Sequence, residues 1–570
     1  MRSLITACTL CLLVFAVSTD TRAAAYTIDA DSIYRHIEVL AHDSLEGREV
    51  GEPGEWKAAD YIINEFTEIG LAPAGDDGNW RQGFEFIKKI EIGETTRLSV
   101  NGVELKLEEE YEPFPQSAST EFSFDEIVPV GYGITDEGGF YDDYEGLDVA
   151  GKAVLVARYY PEDTAAYPHT DFNKYSSLTD KIRNAREHDV AGLFFYTPPE
   201  HDDTLIMMSA TRVTPKEFPI IFLRRAAFER LGVSLDDPRS FAVEGVTELN
   251  KIHDTGYNVA GVLEGQTDTA IIIGAHYDHL GWGGPGSGSR YLGTEPMIHN
   301  GADDNASGTA AVIELARYFA TRKEQLRHSM TFVAFSGEES GLLGSSHYSR
   351  SMPEDMAVHM MINMDMIGRL RDQDKGLAIF GTGTAEEFAS YFDTLTNDRI
   401  KLTSKESGTG PSDHTAFYNR GIPVLHFFTG AHEDYHKPQD DIELIDPDGI
   451  VRVTEIITGI VEHFDDHTGA LTFQKTKSPE RTRMSFSVTL GIMPDYISEV
   501  KGLRVDGVSP DRPGERAGLK TGDVIVKMGD YQVDDIYAYM NALGKFRKGD
   551  SIVVVVERDG TPVDLDVVFE

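Results

Sequence analysis

His276 and Asp278 stand two residues apart at the end of the apolar run 271–275. In an extended chain residues two apart face the same way, so the Asp278 carboxylate can hydrogen-bond the imidazole nitrogen that a metal ion would leave free. Further acids and a second histidine occupy comparable places. Asp303 and Asp304 follow Gly301 at the start of a helix, and Glu338 and Glu339 follow the apolar run 331–335. Asp365 closes the run 360–364, and His436 comes one short loop after the run 423–427. Five of these, His276, Asp303, Glu339, Asp365 and His436, make a candidate pair of metal sites. Nitrogen and oxygen donors without thiolate suit zinc, with manganese or cobalt as alternatives. Three carboxylates and a hydroxide balance two divalent cations, and that neutrality gives a costly cluster of acids a reason to exist. Each fragment alone is ordinary, since adjacent acids commonly sit on solvated turns and a strand-end Asp often caps a helix. Their recurrence at strand and helix ends of one domain is what points to a metal centre.

Those ends belong to an alternation of strand, loop and helix. Short apolar runs at 270–275, 330–335, 360–364, 377–380 and 423–427 predict buried strands of an α/β sheet. Ligands of such sheets collect at the carboxyl ends of the strands. Between the first two runs a helix is predicted near 306–320, where Gly308, Ala311, Val312, Leu315, Ala316 and Phe319 form one continuous face. A last helix is predicted at 449–464, and 28–71 reads as helical. Between 121 and 250 the character changes, with strands predicted near 151–157, 191–196 and 218–223 and helices near 181–188 and 225–231. The segment 468–484 is polar with scattered Lys and Arg and reads as a linker. The remainder, 485–570, is long enough for one small domain.

At 570 residues the chain is too long for a single core. Its 95 acidic against 52 basic residues give a net charge of −43. That charge repels phosphate backbones and anionic lipid heads and argues against nucleic acid as a partner. Residues 1–25 combine Arg2, an apolar run over 4–17 and Ala23-Ala24-Ala25, the pattern of a cleaved signal peptide. The product is therefore expected to be exported, periplasmic or extracellular. Both cysteines, Cys8 and Cys11, would leave with the signal. No later segment is long and apolar enough to span a membrane.

The motifs Ala275-His276-Tyr277-Asp278-His279-Leu280-Gly281, 301–308, Ser336-Gly337-Glu338-Glu339, Asn363-Met364-Asp365 and Tyr435-His436 together resemble metallopeptidase family twenty-eight. Members are co-catalytic di-zinc exopeptidases, mostly aminopeptidases. The resemblance covers roughly 26–120 and 258–467. It implies two zinc ions, one held by His276, Asp303 and Asp365 and the other by Asp303, Glu339 and His436. Asp303 would bridge them, with the Asp303–Asp304 peptide bond cis. Glu338 would take a proton from the attacking water and return it to the leaving amine. Tyr435 would steady the oxyanion, and Asp278 would orient His276. Ser412-Asp413-His414 resembles a family motif near the substrate pocket, without a ligand role for His414. His279, His299, His426 and His432 read as structural or surface residues.

The implied activity is removal of N-terminal residues from peptides by water activated between the two ions. A carboxypeptidase of the same family would need cations for the substrate carboxylate, for which Arg290, Arg369, Arg371 and Arg420 are candidates. A glutaminyl cyclase would use one zinc, and a metal-free binding scaffold would have no need of Glu338. Residues 121–250 resemble a protease-associated domain, inserted between a first peptidase part at 26–120 and a catalytic part at 251–467. Residues 485–570 resemble a PDZ domain through Leu490-Gly491-Ile492, the stretch 517–525 and Lys548-Gly549-Asp550. Such domains bind a peptide or protein C-terminus as an added strand. The expected fold class is α/β: a mixed, mostly parallel sheet flanked by helices in a zinc exopeptidase fold, with a β-rich insertion and a barrel-like PDZ domain.

Overall fold

The computed structural model describes residues 26–569 apart from 162–165, 171, 173–174, 205–215, 234–240, 285, 354–355, 371–375, 478–487 and 496–499. The expected signal peptide and both cysteines lie outside the described residues. Two helices open the chain. α1 (Ala30–Leu40) is capped by Asp29, whose carboxylate accepts from the Ser32 N–H at 3.0 Å. α2 (Pro53–Ile69) begins with proline in its first turn and stops at Gly70, which adopts φ +89°.

The largest sheet is built from β1 (Arg81–Ile92), β2 (Leu249–Leu263), β3 (Thr267–His276), β4 (His328–Phe335), β5 (Val358–Met364), β6 (Leu377–Phe380), β7 (Leu402–Lys405) and β8 (Val424–Phe428). Across it the strands run β2, β4, β3, β5, β8, β6, β7, with β1 and the short strand Ala72–Pro73 on β2. The four central strands β4, β3, β5 and β8 are mutually parallel. Parallel strands aim their carboxyl ends at one edge, so His276, Glu338, Asp365 and His436 are delivered to the same side. Such strands are covered on both faces, which is why β3 is buried from Ala270 to His276. Ile271 and Ile273 face α1, α2, α3 (Gly308–Ala320) and α5 (Pro447–Asp465). Ile272 faces the other side, against Phe417 of the short helix α4 (His414–Tyr418).

The outer half of β2 pairs only with β1, from Leu249↔Ile92 to Asn258↔Gln82, before β2 reaches β4 at Val259↔Ala334. This two-stranded ladder projects past the carboxyl edge of the sheet and carries the inserted body. There a parallel sheet (Ile127–Pro129, Ala153–Ala157, Gly192–Tyr196, Ile220–Leu223) is joined antiparallel by Tyr111–Pro113. Arg97–Val100 and Val103–Leu105 enter a second antiparallel sheet with Val243–Thr247. Strands before residue 121 thus pair with strands after it, at Val243–Thr247 and Ile220–Leu223. At the start of the expected linker Phe473 bridges to Ala385, and the Thr472 N–H donates to Glu387 at 2.8 Å. The C-terminal sheet runs β9 (Ile492–Pro494), β10 (Leu503–Val508), β11 (Val524–Met528), β12 (Ser551–Arg558), β13 (Thr561–Val568), with helix α6 (Ile536–Leu543).

Arg48 ties these layers together. Its side chain is 1% exposed and donates to Tyr277 O at 2.6 Å, Asn300 O at 2.6 Å and Gly301 O at 3.1 Å, and also to Leu40 O. One cation thus joins the end of α1, the end of β3 and the turn before Asp303. Burial lowers its pKa to about 10, so it stays charged at neutral pH. Arg48→Met leaves four carbonyls without that donor and is expected to cost about 3–5 kcal/mol in urea unfolding.

At the opposite, amino end of the sheet, His359 stacks on His328 at 4.3 Å beside His467 and Asp465. Burial and the two neighbouring imidazoles lower its pKa to about 4. The unfolded chain then binds the extra proton between about pH 6.5 and 4, so stability falls as pH drops through that window. Discounted for solvent screening, His359→Phe should lose about 1–2 kcal/mol less than the parent between pH 7 and 4.5, read from urea midpoints.

Candidate metal centre

β3 ends in His276, whose Nε2 lies 3.3 Å from Asp304 Oδ1 and 3.4 Å from Asp365 Oδ1. The other ring nitrogen, Nδ1, meets the Asp278 carbonyl at 3.2 Å, while the Asp278 carboxylate lies 3.7 Å away. That carboxylate instead accepts the Glu338 N–H at 3.2 Å, so Asp278 joins the end of β3 to the loop after β4. His436 mirrors this arrangement. Its Nδ1 faces Gly288 O at 3.0 Å, and its Nε2 lies 3.3 Å from Asp304 Oδ2 and 3.1 Å from Glu339 Oε2. Donors held on one zinc at about 2.0–2.1 Å stand about 3.3 Å from each other in tetrahedral geometry, the spacing seen here. In both imidazoles a carbonyl takes Nδ1–H, which leaves the Nε2 lone pair for a cation.

The carboxylate shared by the two histidines belongs to Asp304, and Asp303 points elsewhere. Asp303 Oδ1 accepts from the Gly368 N–H at 2.6 Å and from Ser307 Oγ at 3.0 Å, and Oδ2 lies 3.2 Å from His432 Nε2. The expectation of Asp303 as the bridge is therefore corrected to its neighbour. The cause is local backbone: 302–307 form an irregular turn with Asp304 at φ −106°, ψ 91°, and the cis bond is Asp304–Asn305, one residue later than expected. Asp440 fixes this turn by accepting both the Asp303 N–H (3.1 Å) and the Asp304 N–H (3.0 Å). Gly301 precedes it at φ +57°, where a Cβ would lie 2.1 Å from Asp304 O.

Two groups of side chains in the described residues could each enclose an ion: His276, Asp304 and Asp365, and His279, Asp304 and Glu339. His279, expected as a structural or surface residue, places its Nδ1 2.7 Å from Glu339 Oε1. Its position three residues beyond His276 on the same strand-end loop was the available signal. Asp440 carried none, because its role is defined by backbone groups distant in sequence.

So many acids in a protein interior perturb one another. His436 is raised to about 11, burial being outweighed by Glu339 and Asp304. His276 is likewise raised well above its ordinary value, with Asp365, Asp278 and Asp304 overcoming burial. Burial, with Glu339 and Asp365 beside it, holds the Glu338 carboxyl well above the usual range. Burial and the same carboxylates keep the Tyr435 phenol protonated and able to donate. Tyr435 stacks on His436 at 3.8 Å. A cavity of about 320 Å³ opens over the cluster, lined by Asp304, Glu338, Asp365, Tyr435 and His436 among others.

Residues 258–461 match the family profile of Peptidase family M28, and residues 472–568 match that of a PDZ domain. The chain is similar to Aminopeptidase YwaD of Bacillus subtilis (strain 168), 26% identical over 338 residues, which are 57% of this chain and 64% of that protein. It is also similar to Leupeptin-inactivating enzyme 1 of Streptomyces exfoliatus, 31% identical over 188 residues, 32% of this chain and 37% of that one. A solved aminopeptidase from Aneurinibacillus sp. strain AM-1 aligns with a TM-score of 0.46 and 23% identity over 79% of this chain and 96% of its own. The chain spans less than two thirds of the length of these curated relatives. Residues 258–461 accordingly belong to peptidase family M28, and residues 472–568 form a PDZ domain.

Proposed function

We propose that the chain is a metallo-aminopeptidase whose residues hold two zinc ions, His276, Asp304 and Asp365 around one and Asp304, Glu339 and His436 around the other. The observation that carries this reading is the paired geometry at Asp304, one oxygen toward each Nε2 while both Nδ1 atoms face carbonyls. The donor set fits: two imidazoles and three carboxylates, with no thiolate, suit zinc. When bound, such a pair supplies Lewis acidity that activates water and polarises the scissile carbonyl. The protein supplies the rest. Glu338 lines the cavity beside Asp304 and Asp365 and accepts the proton of the attacking water, then returns it to the leaving amine. Cations beside it would bring its carboxyl back toward ionisation. Tyr435 donates a hydrogen bond from its phenol to the oxyanion, and the Asp278 carboxylate holds Glu338 in place by accepting the Glu338 backbone N–H.

Among the described residues the cavity lining contains carboxylates, imidazoles and uncharged groups but no Arg or Lys. That favours a substrate presenting a free amine over one presenting a carboxylate. Arg369 is engaged with Asp434 at 3.1 Å and Arg420 with Ser349 O, and the cavity is lined by neither. Arg371 lies outside the described residues. A shared bridging carboxylate with an imidazole on each side favours two ions over the single zinc of a cyclase. The reading places the enzyme outside the cytoplasm after removal of residues 1–25, and no helix among the described residues is long and apolar enough to cross a membrane. It takes the inserted body as a protease-associated domain on the carboxyl side of the sheet. It takes β9, at the edge of its sheet, as the strand that receives a peptide C-terminus.

Chelation should abolish hydrolysis of aminoacyl 4-nitroanilides, and added zinc should restore it. Glu338→Gln should retain close to two equivalents of zinc while kcat falls by about 10²–10⁴. A variant that remains fully active removes Glu338 from the mechanism.

Asp304→Asn and Asp303→Asn separate the two neighbours. The first should lose most of its zinc, measured by atomic absorption after gel filtration, because both ions share that carboxylate. The second should keep the zinc and lose about 1–3 kcal/mol in urea unfolding, since it gives up buried hydrogen bonds instead.

A further inference from the structure

The cavity beside the acid cluster also has a neutral polar side that the mechanism above does not use. His414 is fully buried and lines the cavity, yet neither of its ring nitrogens has a hydrogen-bond partner among the described residues. One face of the ring is covered by His426, stacked at 4.4 Å with 7° between the planes. His426 Nδ1 accepts from Asn363 Nδ2 at 3.1 Å. The edge of His414 remains. Gly410 stands against it in the cavity lining, and a Cβ there would come within 3.0 Å of both Cε1 and Nε2. With glycine there, only backbone stands against that buried edge. Burial and the neighbouring imidazole of His426 hold His414 neutral, so it offers one N–H donor and one acceptor. A buried polar group of this kind takes its partner from whatever fills the cavity, water in the free protein or a group of the substrate in the complex.

The remaining walls are flat and apolar. Phe380 and Phe428 flank His426, with ring centroids 5.5 Å and 6.2 Å away, and Met366 lines the same space. We infer that this chamber receives the first side chain of the substrate and that His414 reads a hydrogen-bonding group at its tip, so that the favoured substrates are peptides beginning with tyrosine. The inference rests on the aminopeptidase reading above. Aromatic walls accept the ring, and the phenol hydroxyl can both accept from and donate to a neutral imidazole. Phenylalanine or leucine fills the same space but displaces water without replacing its hydrogen bonds, leaving the imidazole unpaired. Sites built to hydrogen-bond a substrate hydroxyl discriminate strongly against the analogue lacking it.

The test is kcat/KM for the 4-nitroanilides of tyrosine, phenylalanine and leucine with the zinc-loaded full chain. Tyrosine should exceed phenylalanine by about 10-fold or more. His414→Phe should erase that ratio by lowering the tyrosine value while leaving phenylalanine within about 3-fold. Gly410→Ala, which covers the same ring edge at a position of ordinary backbone conformation, should move the ratio in the same direction and decides the matter if His414→Phe does not fold. Equal rates on tyrosine and phenylalanine in the parent, or an equal loss on both in the variants, overturns the inference and leaves the aminopeptidase reading intact. Failure to cleave any aminoacyl amide overturns both.

Discussion

Carboxylates crowded away from water are held only if positive charge is held with them. Asp304, Glu338, Glu339 and Asp365 gather at one sheet edge, with Asp278, Asp303, Asp413 and Asp440 buried around them. The proton affinities register the shortage of cation. His276 and His436 are driven upward, Glu338 is pushed toward neutrality, and burial raises Asp413 to about 7. The pair of divalent ions proposed above would supply the positive charge that these groups lack. Arg48, buried behind the cluster, supplies one permanent positive charge that no change of pH within the working range removes.

The scaffold meets this electrostatic demand through rigidity. Four parallel strands end at one edge and set the approximate positions, but a strand end alone leaves a side chain free to turn. Orientation comes from a second set of contacts. Carbonyls at Asp278 and Gly288 fix the two imidazoles, His279 takes one oxygen of Glu339, and Asp440 grips consecutive N–H groups of the turn that presents Asp304. Most of these partners are backbone atoms or residues remote in sequence. The precision of the site therefore depends on the tertiary packing that Arg48 helps to lock.

This division explains what could be read from the residues. Apolar runs such as 271–275 and 331–335 are legible because a strand buried on both faces must be apolar throughout, and the polar residues that follow mark the functional edge. The choice between Asp303 and Asp304 is not legible. Both are buried and adjacent, and the turn that decides between them is fixed by Asp440, 136 residues from Asp304. The β1–β2 ladder is not legible because its outer half is largely exposed and mixes polar residues such as Lys88, Lys89, Asn250 and Lys251 with single apolar ones, so its alternation carries little hydrophobic contrast. The pairing of Arg97–Val100 with Val243–Thr247 is illegible for a related reason, since the two partners lie far apart in sequence. His426 reads as a structural or surface histidine and His414 only as part of a motif near the substrate pocket, and the cavity beside them is what gives their position a chemical meaning.

The accessory parts are not independent of the site. Gly288 and Arg290 lie on the loop that receives His436: Gly288 O faces the imidazole, and the Arg290 N–H donates to His436 O at 2.9 Å. The Arg290 guanidinium then reaches Ser509 Oγ of the PDZ domain at 3.4 Å. Gly507 on β10 lies against the backbone of Glu433, three residues before His436. The inserted body meets the PDZ domain in turn, where Arg547 covers the Tyr160 ring at 5.4 Å. His436 adopts φ +58°, a conformation costly for a residue with a side chain, so its surroundings must hold it there. Part of that surrounding is a loop backed by the PDZ domain. The geometry of His436, a ligand in the proposed metal centre, is thus supported by the PDZ domain, which gives the linkage of the two in one chain a physical basis.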